Sequence, residues 1–404
     1  MWDKCVALVD MVAFFPSCEQ LDFHEFKGKP VAVTNGDAGT TIISSSYEAR
    51  AYGVKTGMHL NEASKLCPDI IQRPSRPERY SEISANIMNA LRNITPDIEV
   101  FSIDECFMDL KPILSLYGSL EKIAELIRST VLEAGNGMVC SIGISEGKLT
   151  AKFCAGLNKG KTAIVSPDKI QGYMAGHNLA RLCGIGPSLL SYLNNLGYYK
   201  IGDMVKAPPN LLFGVRGDTG HRLQSACLGV DPVPVKTKFE KAKSMGHSKV
   251  LPPYSVDRDK IEGVLHQLSN RLTRRLRDNG FVVNQVTISF QAHKKIIKET
   301  YKFPMPTNSS KEFIYQINKH LKLWKNEPLF QVGLHCHQLM DEAVGQQSLF
   351  TVEEDKVDKV KDEINKRFGK NSCRNASEMQ ADDMNMVPVI AFNFDATSKS
   401  KNSL

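Results

Sequence analysis

Ser102-Ile103-Asp104-Glu105-Cys106-Phe107-Met108-Asp109-Leu110 sets two adjacent carboxylates inside an otherwise apolar, strand-like run. A half-buried strand alternates apolar and polar residues with period two. Here Ile103, Phe107 and Met108 instead surround an Asp-Glu pair that repels itself and would lose hydration on burial. A buried carboxylate cluster is costly unless a cation neutralises it. Hard oxygen donors of this kind favour Mg²⁺. A second segment supplies a partner. Val6-Ala7-Leu8-Val9-Asp10-Met11 reads as a short buried strand ending in one acid. A lone Asp there could equally cap the next helix. Together with Asp104 and Glu105 it predicts three acids converging at strand ends. That arrangement holds two metals about 3.5–4 Å apart, which clamp the attacking and leaving oxygens of a phosphoryl transfer.

The chain has 404 residues, too many for one ordinary domain, so two to four are expected. No stretch approaches the roughly 20 apolar residues that span a bilayer. Strand-like sequence begins at once after Met1-Trp2-Asp3-Lys4, with no signal peptide, so a cytoplasmic location is expected. The ten cysteines are scattered with no CxxC pair and read as buried small hydrophobes. Net charge is +7 but unevenly placed. Residues 236–340 carry 19 Lys and Arg against 8 Asp and Glu, a net of +11, which leaves −4 for the remainder. A basic module beside a mildly acidic one points to a polyanion-binding domain next to a catalytic domain whose acids hold metal.

Along the chain, strands and helices alternate around the acids, as in an α/β or α+β palm. Strands are expected near 29–33, 40–46, 98–102, 139–144 and 163–165. Helices are expected at 47–53, 62–66, 78–95, 118–134 and 150–157. Residues 170–235 read as short helices around Gly184-Ile185-Gly186-Pro187, a turn whose backbone N–H groups can hold a DNA phosphate without reading sequence. Residues 236–243 look like a tether. A β-rich domain follows, with helices at 257–278 and 310–323. The first of these carries Arg271, Arg274, Arg275 and Arg277, which could track phosphates or form a solvated face. The tail contains an amphipathic pattern of Val357, Val360, Ile364 and Phe368.

Six blocks in order resemble a Y-family (DinB/UmuC-type) translesion DNA polymerase over residues 1–350. They are Leu8-Val9-Asp10-Met11 with Phe14-Phe15, Ser46-Tyr47-Glu48-Ala49-Arg50, Ser102-Ile103-Asp104-Glu105, Ser141-Ile142-Gly143-Ile144-Ser145 with Ala151-Lys152, Gly184-Ile185-Gly186, and Lys243-Ser244-Met245-Gly246. The resemblance implies an α+β right hand. It has an α/β palm at 1–18 and 76–168, small fingers at 19–75 and a helical helix-hairpin-helix thumb at 169–235. A linker at 236–243 leads to a little finger of one β-sheet and two helices at 244–341, and a tail occupies 342–404. Asp10, Asp104 and Glu105 would be the catalytic metal ligands, joined by the Met11 carbonyl, for two Mg²⁺ with Mn²⁺ able to substitute. Phe14, Phe15, Ile43, Tyr47, Arg50 and Lys159 would meet the incoming deoxynucleoside triphosphate. Among them Phe15 is the steric gate against a 2′-hydroxyl and Ile43 the roof over the base pair. Lys161 is a near neighbour of Lys159 and competes for its role. Gly184, Gly186, Lys243, Ser244, Arg271 and Arg274 would contact primer-template DNA.

Val12 departs from the pattern, because DinB-type relatives carry a third acid there and UmuC-type relatives an Asn. Cys18-Glu19 also leans to the UmuC side. Gln346-Gln347-Ser348-Leu349-Phe350 resembles a bacterial sliding-clamp peptide, with Gln346, Leu349 and Phe350 as its contacts and Gln347 in place of the usual Leu. The expected protein is a monomeric, distributive polymerase that bypasses damaged template bases. A palm-type nucleotide cyclase and a non-catalytic DNA- or clamp-binding scaffold are the alternatives. The cyclase needs neither the basic module nor the Gly-x-Gly turn, and the scaffold does not need all three acids.

Overall fold

A computed structural model of the chain describes residues 2–36, 40–237, 241–292, 295–342, 352–369, 372–382 and 384. They divide into two compact units, one holding residues 2–34 and 40–237 and the other residues 35–36 and those from 241 onward.

The first unit opens with β1 (Val6–Met11), α1 (Phe14–Asp22), β2 (Val31–Thr34), β3 (Ile42–Ser45), α2 (Tyr47–Ala51), α3 (Leu60–Leu66) and β4 (Ile71–Pro74). Strand β4 was not expected: Ile71-Gln72-Arg73-Pro74 has no alternation, and its parallel pairing with β2 makes it a strand. Next come α4 (Pro77–Leu91), β5 (Ile98–Val100), β6 (Glu105–Asp109), α5 (Leu114–Tyr117), α6 (Leu120–Ala134), β7 (Cys140–Ser145), α7 (Lys148–Leu157) and β8 (Thr162–Ile164). The helix expected at 118–134 is α6, and the short α5 before it was not expected. Gly118, at φ 79°, separates them in a backbone region that favours glycine.

A five-stranded sheet, β5-β6-β1-β7-β8, is the frame of the site, with β1 antiparallel to both neighbours. Side chains alternate faces along a strand. Ala7, Val9 and Met11 join Cys106, Met108 and the apolar sides of α4 and α6 in one core. Val6, Leu8 and Phe107 face the other way, against Ala151 and Ala155 of α7. The same alternation puts Asp10 and Glu105 on the α7 face, directly opposite each other in register. Helix α7 comes close because Gly143 of β7 has no side chain: a Cβ there would lie 2.2 Å from the Ala151 carbonyl oxygen. Three further helices, α8 (Pro167–Ala175), α9 (Pro187–Asn195) and α10 (Phe213–Cys227), close their own core of Ile170, Leu189, Leu193 and Leu223.

In the second unit β9 (Ser244–Ser255), β10 (Phe281–Ala292), β11 (Ile296–Thr307) and β12 (Leu329–His337) form an antiparallel sheet ordered β11-β10-β12-β9. Helices α11 (Arg258–Asp278) and α12 (Ser310–Leu321) supply Val264, Leu268, Leu272, Phe313 and Ile317 to its core. The short β13 (Met340–Asp341) pairs with the start of β10.

The tail helix α13 (Val352–Phe368) inverts the usual logic of an amphipathic helix. Val357, Val360 and Phe368 point to solvent, 69%, 54% and 66% exposed. The polar side faces the unit instead. Asp358 and Asp362 pair with Arg277 at 3.2 and 2.7 Å, and Asp358 also accepts from the Ser310 N–H at 2.8 Å. A following turn, Ala376–Ala381, lies so close to α11 that a Cβ on Gly263 would meet Ala381 N and Ser377 O at 3.0 Å. Losing one partner of a buried ion pair costs about 3–5 kcal/mol. Arg277→Met is therefore expected to release α13, read as faster limited proteolysis after residue 342 with the sheet intact. An unchanged digestion pattern would contradict this docking.

The ten cysteines are free, and eight are buried. Burial pushes the Cys5, Cys106 and Cys154 thiols up to about 12, as expected of packing residues. No helix among the described residues is long and apolar enough to cross a membrane.

Candidate active site

The three acids meet at one end of the large sheet. Asp10 ends the α7-facing row of β1, and Glu105 opens β6 across from it. Asp104 sits one residue before the strand. The anomalous run is thus the bend of a β5–β6 hairpin, tightened by Phe101 and Ser102 N–H groups donating to Glu105 O. The Met11 N–H donates to Asp104 O at 2.8 Å and ties that bend to β1. Burial pushes the Asp104 carboxyl above the usual carboxylate range; the Ser102 hydroxyl on Oδ1 works against this and the Asp10 charge adds to it. Burial also raises Glu105, against the pull of Lys152.

Two lysines hold the excess negative charge. Lys152 of α7 donates to both Glu105 oxygens at 2.6 and 2.9 Å, and its ammonium lies 4.7 Å from the Phe101 ring centre. Lys159 donates to Asp10. Lys159, and not Lys161, is therefore the lysine at the acids. Sequence reading did not give Lys152 a role, since its partner is 47 residues away.

Among the described residues, no three His, Cys, Asp or Glu side chains already form a metal cluster. The donor set nonetheless fits a divalent cation. Asp104 and Glu105 are held above the ordinary carboxylate range by desolvation and the charge of Asp10, which faces Glu105 in register. All the donors are hard oxygens, as Mg²⁺ and Mn²⁺ prefer.

The two phenylalanines after β1 part ways. Ala13 caps α1 at φ 45°, a strained turn for a residue with a Cβ. It sends the Phe14 side chain into the core, 2% exposed. The Phe14 ring is therefore part of the core, and the Phe15 ring is the one left at its rim. Phe15 lies at the rim of the same core, as does Ile43 of β3. Its ring stacks on Tyr80 at 4.7 Å between centres and 18° between planes. The Tyr80 hydroxyl donates to Glu19 at 2.8 Å. Glu19 is fully buried and also takes Arg73 at 3.1 Å and Arg76 at 2.8 Å. This acid, noted in the sequence only as a subfamily mark, anchors the wall behind Phe15.

On α2, the Arg50 guanidinium lies 4.9 Å from the Tyr47 ring centre and donates to Ser45 O. Tyr47 is 42% exposed, so the pair meets each other at the surface and leaves faces open to a ligand. Gly184 turns at φ 102°, where a Cβ would strike Leu223 at 2.8 Å, and Gly186 caps α9. In the second unit, Ser244 opens β9 and pairs with His337, and Lys243 O accepts from Gln338. The arginines of α11 divide. Arg277 is committed to the tail and is neither solvated nor free for a phosphate. Arg271 and Arg274 line a cavity of about 280 Å³ whose far wall is the tail. Residues 346–350, and with them Gln346, Leu349 and Phe350, lie outside the described residues.

Comparison with known proteins agrees with this geometry. Residues 9–156 match the impB/mucB/samB family, and residues 242–349 match that family's C-terminal domain. A DNA polymerase IV of Moorella thermoacetica is 31% identical over 380 residues, 91% of this chain and 94% of that protein. DNA polymerase IV 2 of Bacillus subtilis is 29% identical over 398 residues, 94% and 96% of the two chains. Among solved structures, a Y-family DNA polymerase chimera aligns with TM-score 0.73 and 25% identity over 83% of this chain and 99% of its own.

Proposed function

Since the chain belongs to the impB/mucB/samB family of Y-family DNA polymerases, we propose a residue-level account of how it carries out translesion DNA synthesis. It is a DNA-directed DNA polymerase, it binds DNA, and it depends on a divalent cation. The observation that carries the account is the register of Asp10 against Glu105, with Asp104 tied beside them through Met11. Asp10, Asp104, Glu105 and the Met11 carbonyl would hold two Mg²⁺. When bound, these ions lower the pKa of the primer 3′-hydroxyl and neutralise the triphosphate and the departing pyrophosphate.

The protein's own groups position the reactants. Tyr47 and Arg50 grip the triphosphate, where the guanidinium fork suits phosphate oxygens. Lys159 exchanges Asp10 for a phosphate when substrate arrives. Lys152 keeps Glu105 oriented. Phe15, stacked on Tyr80 with the Phe14 ring packed beside it, excludes a ribose hydroxyl, and Ile43 covers the nascent pair. The palm spans 1–18 and 76–168, the fingers 19–75, the thumb 169–235 and the little finger 244–341. Gly184, Gly186, Lys243 and Ser244 take backbone phosphates of the primer-template, and Arg271 and Arg274 keep a phosphate affinity of their own. The enzyme works as a cytoplasmic monomer tethered to a ring-shaped sliding clamp by residues 346–350. Such tethering raises effective concentration at the primer end by mass action.

Deleting 346–350 is expected to abolish stimulation by a bacterial clamp while leaving clamp-free extension unchanged. Equal stimulation of the deleted and intact proteins would remove the clamp assignment. The general account is tested by primer extension on undamaged and lesion-bearing templates with Mg²⁺. A cyclase would release a cyclic nucleotide and extend nothing.

A further inference from the structure

The cavity between α11, β9 and the tail has a one-sided charge balance. Lys249 enters from β9, Arg271 and Arg274 from α11, and Lys361 and Arg374 from the tail. Three carboxylates share the wall, and each is already taken. Asp362 holds Arg277 at 2.7 Å, and Asp382 holds Arg374 at 2.6 Å. Glu378 accepts from the Asn375 N–H at 2.8 Å and from the Asn270 side chain. Among the described residues, Lys249 and Arg271 have no acid partner, and the nearest carboxylate to Arg274, Asp278, is 3.9 Å away. Burial and the neighbouring Arg271 pull Lys249 down to about 8, as expected of an ammonium that lacks a counter-charge.

We propose that this cavity is a phosphate-binding site, separate from the polymerase centre and completed by the tail. An entering anion finds uncommitted cations on two elements, whereas an entering cation finds no free carboxylate. Arg271 and Arg274 lie three positions apart on one helix, so both guanidinium forks can reach one group, and a fork matches phosphate oxygens in pairs. At about 280 Å³ the space is near the lower bound for small-molecule sites. It holds a pyrophosphate or the phosphate end of a nucleotide, and it is too small for a duplex, whose major groove alone is about 12 Å wide. The phosphate can come from a free nucleotide or pyrophosphate, or from the 5′-phosphate of a single strand.

Cys373 lines the cavity, while Cys183 is exposed in the other unit, so the two thiols give a site-specific readout with an internal control. Alkylation of the full-length protein would be followed by mass spectrometry in EDTA with inorganic pyrophosphate, deoxyadenosine monophosphate or a 5′-phosphorylated oligonucleotide. Saturating ligand is expected to slow Cys373 modification and leave Cys183 unchanged. Protection by pyrophosphate or the monophosphate identifies a free source, and protection by the oligonucleotide alone identifies a strand end. In Lys249→Gln and, separately, Arg271→Gln, the concentration needed should rise by about tenfold or more, the loss of one charge-assisted hydrogen bond. Arg50→Ala, which weakens the proposed triphosphate grip, should protect like wild type. The proposal is overturned if no phosphate ligand protects Cys373. It is also overturned if protection survives both cavity substitutions unchanged, or if Arg50→Ala removes it.

Discussion

Asp104→Ala is expected to cut Mg²⁺-dependent primer extension by about 10³-fold or more while primer-template binding persists. Asp104 sits at the bend before β6, where the Met11 N–H donates to its backbone carbonyl and the Ser102 hydroxyl to its carboxylate. Metal-based charge stabilisation is worth several kcal/mol, and about 4 kcal/mol is a thousandfold in rate. The fold should tolerate the change. Burial already holds this carboxyl above the usual carboxylate range, so the folded state gains little from its charge. The sign follows: a raised carboxylate pKa favours folding at low pH and loses that contribution as pH rises through the folded value. Removing Asp104 should therefore leave thermal stability near neutral pH equal or slightly higher. A variant that still extends primers at the wild-type rate would remove Asp104 from the metal site.

Phe15→Ala is expected to raise ribonucleotide incorporation relative to deoxynucleotide by about 10²-fold, the scale at which an apolar pocket rejects an added hydroxyl. The effect should appear in the ribonucleotide kcat/KM, with little change for the deoxynucleotide. Tyr80 gives the argument a second handle. Tyr80→Phe keeps the stacked ring and should keep discrimination. Tyr80→Leu removes the stack and should relax it part of the way. If Phe15→Ala leaves the sugar preference untouched, the gate lies elsewhere and the wall of Tyr80 and Glu19 has only a structural part.

What could be read from the sequence, and what could not, divides by range. Asp104 and Glu105 stood out because an acid pair breaks the local period of a strand, and Asp10 because an acid ends a buried run. Both are signals within ten residues. That Asp10 and Glu105 share a sheet face came only with the register of β1 against β6. Lys152 and Glu19 were not legible as site residues. Their partners lie 47 residues away for Lys152 and 54 to 61 for Glu19, and nothing local marks such pairings. Phe14 and Phe15 show the limit of local reading from the other side. Adjacent rings at a strand–helix junction look equivalent until the left-handed turn at Ala13 assigns one to the core.

The tail forms the helix its apolar pattern suggests, but that pattern does not mark the side that docks. A stripe of Val357, Val360, Ile364 and Phe368 is ordinarily the buried side of a helix. Here the opposite side is committed by Arg277 to Asp358 and Asp362, an interaction between residues more than 80 positions apart. Long-range charge pairing overrode the apolar pattern. The same docking closes the wall that gives Arg271 and Arg274 their cavity.

The central claim is that Asp10, Asp104 and Glu105 jointly hold two divalent ions. It is tested most directly by counting Mn²⁺ in the ternary complex with dideoxy-terminated primer, template and incoming nucleotide, using electron paramagnetic resonance of the free ion. The account predicts two bound ions per wild-type complex, and fewer in Asp10→Asn and in Asp104→Asn at the same nucleotide occupancy. Two ions retained at wild-type affinity in both variants would contradict it.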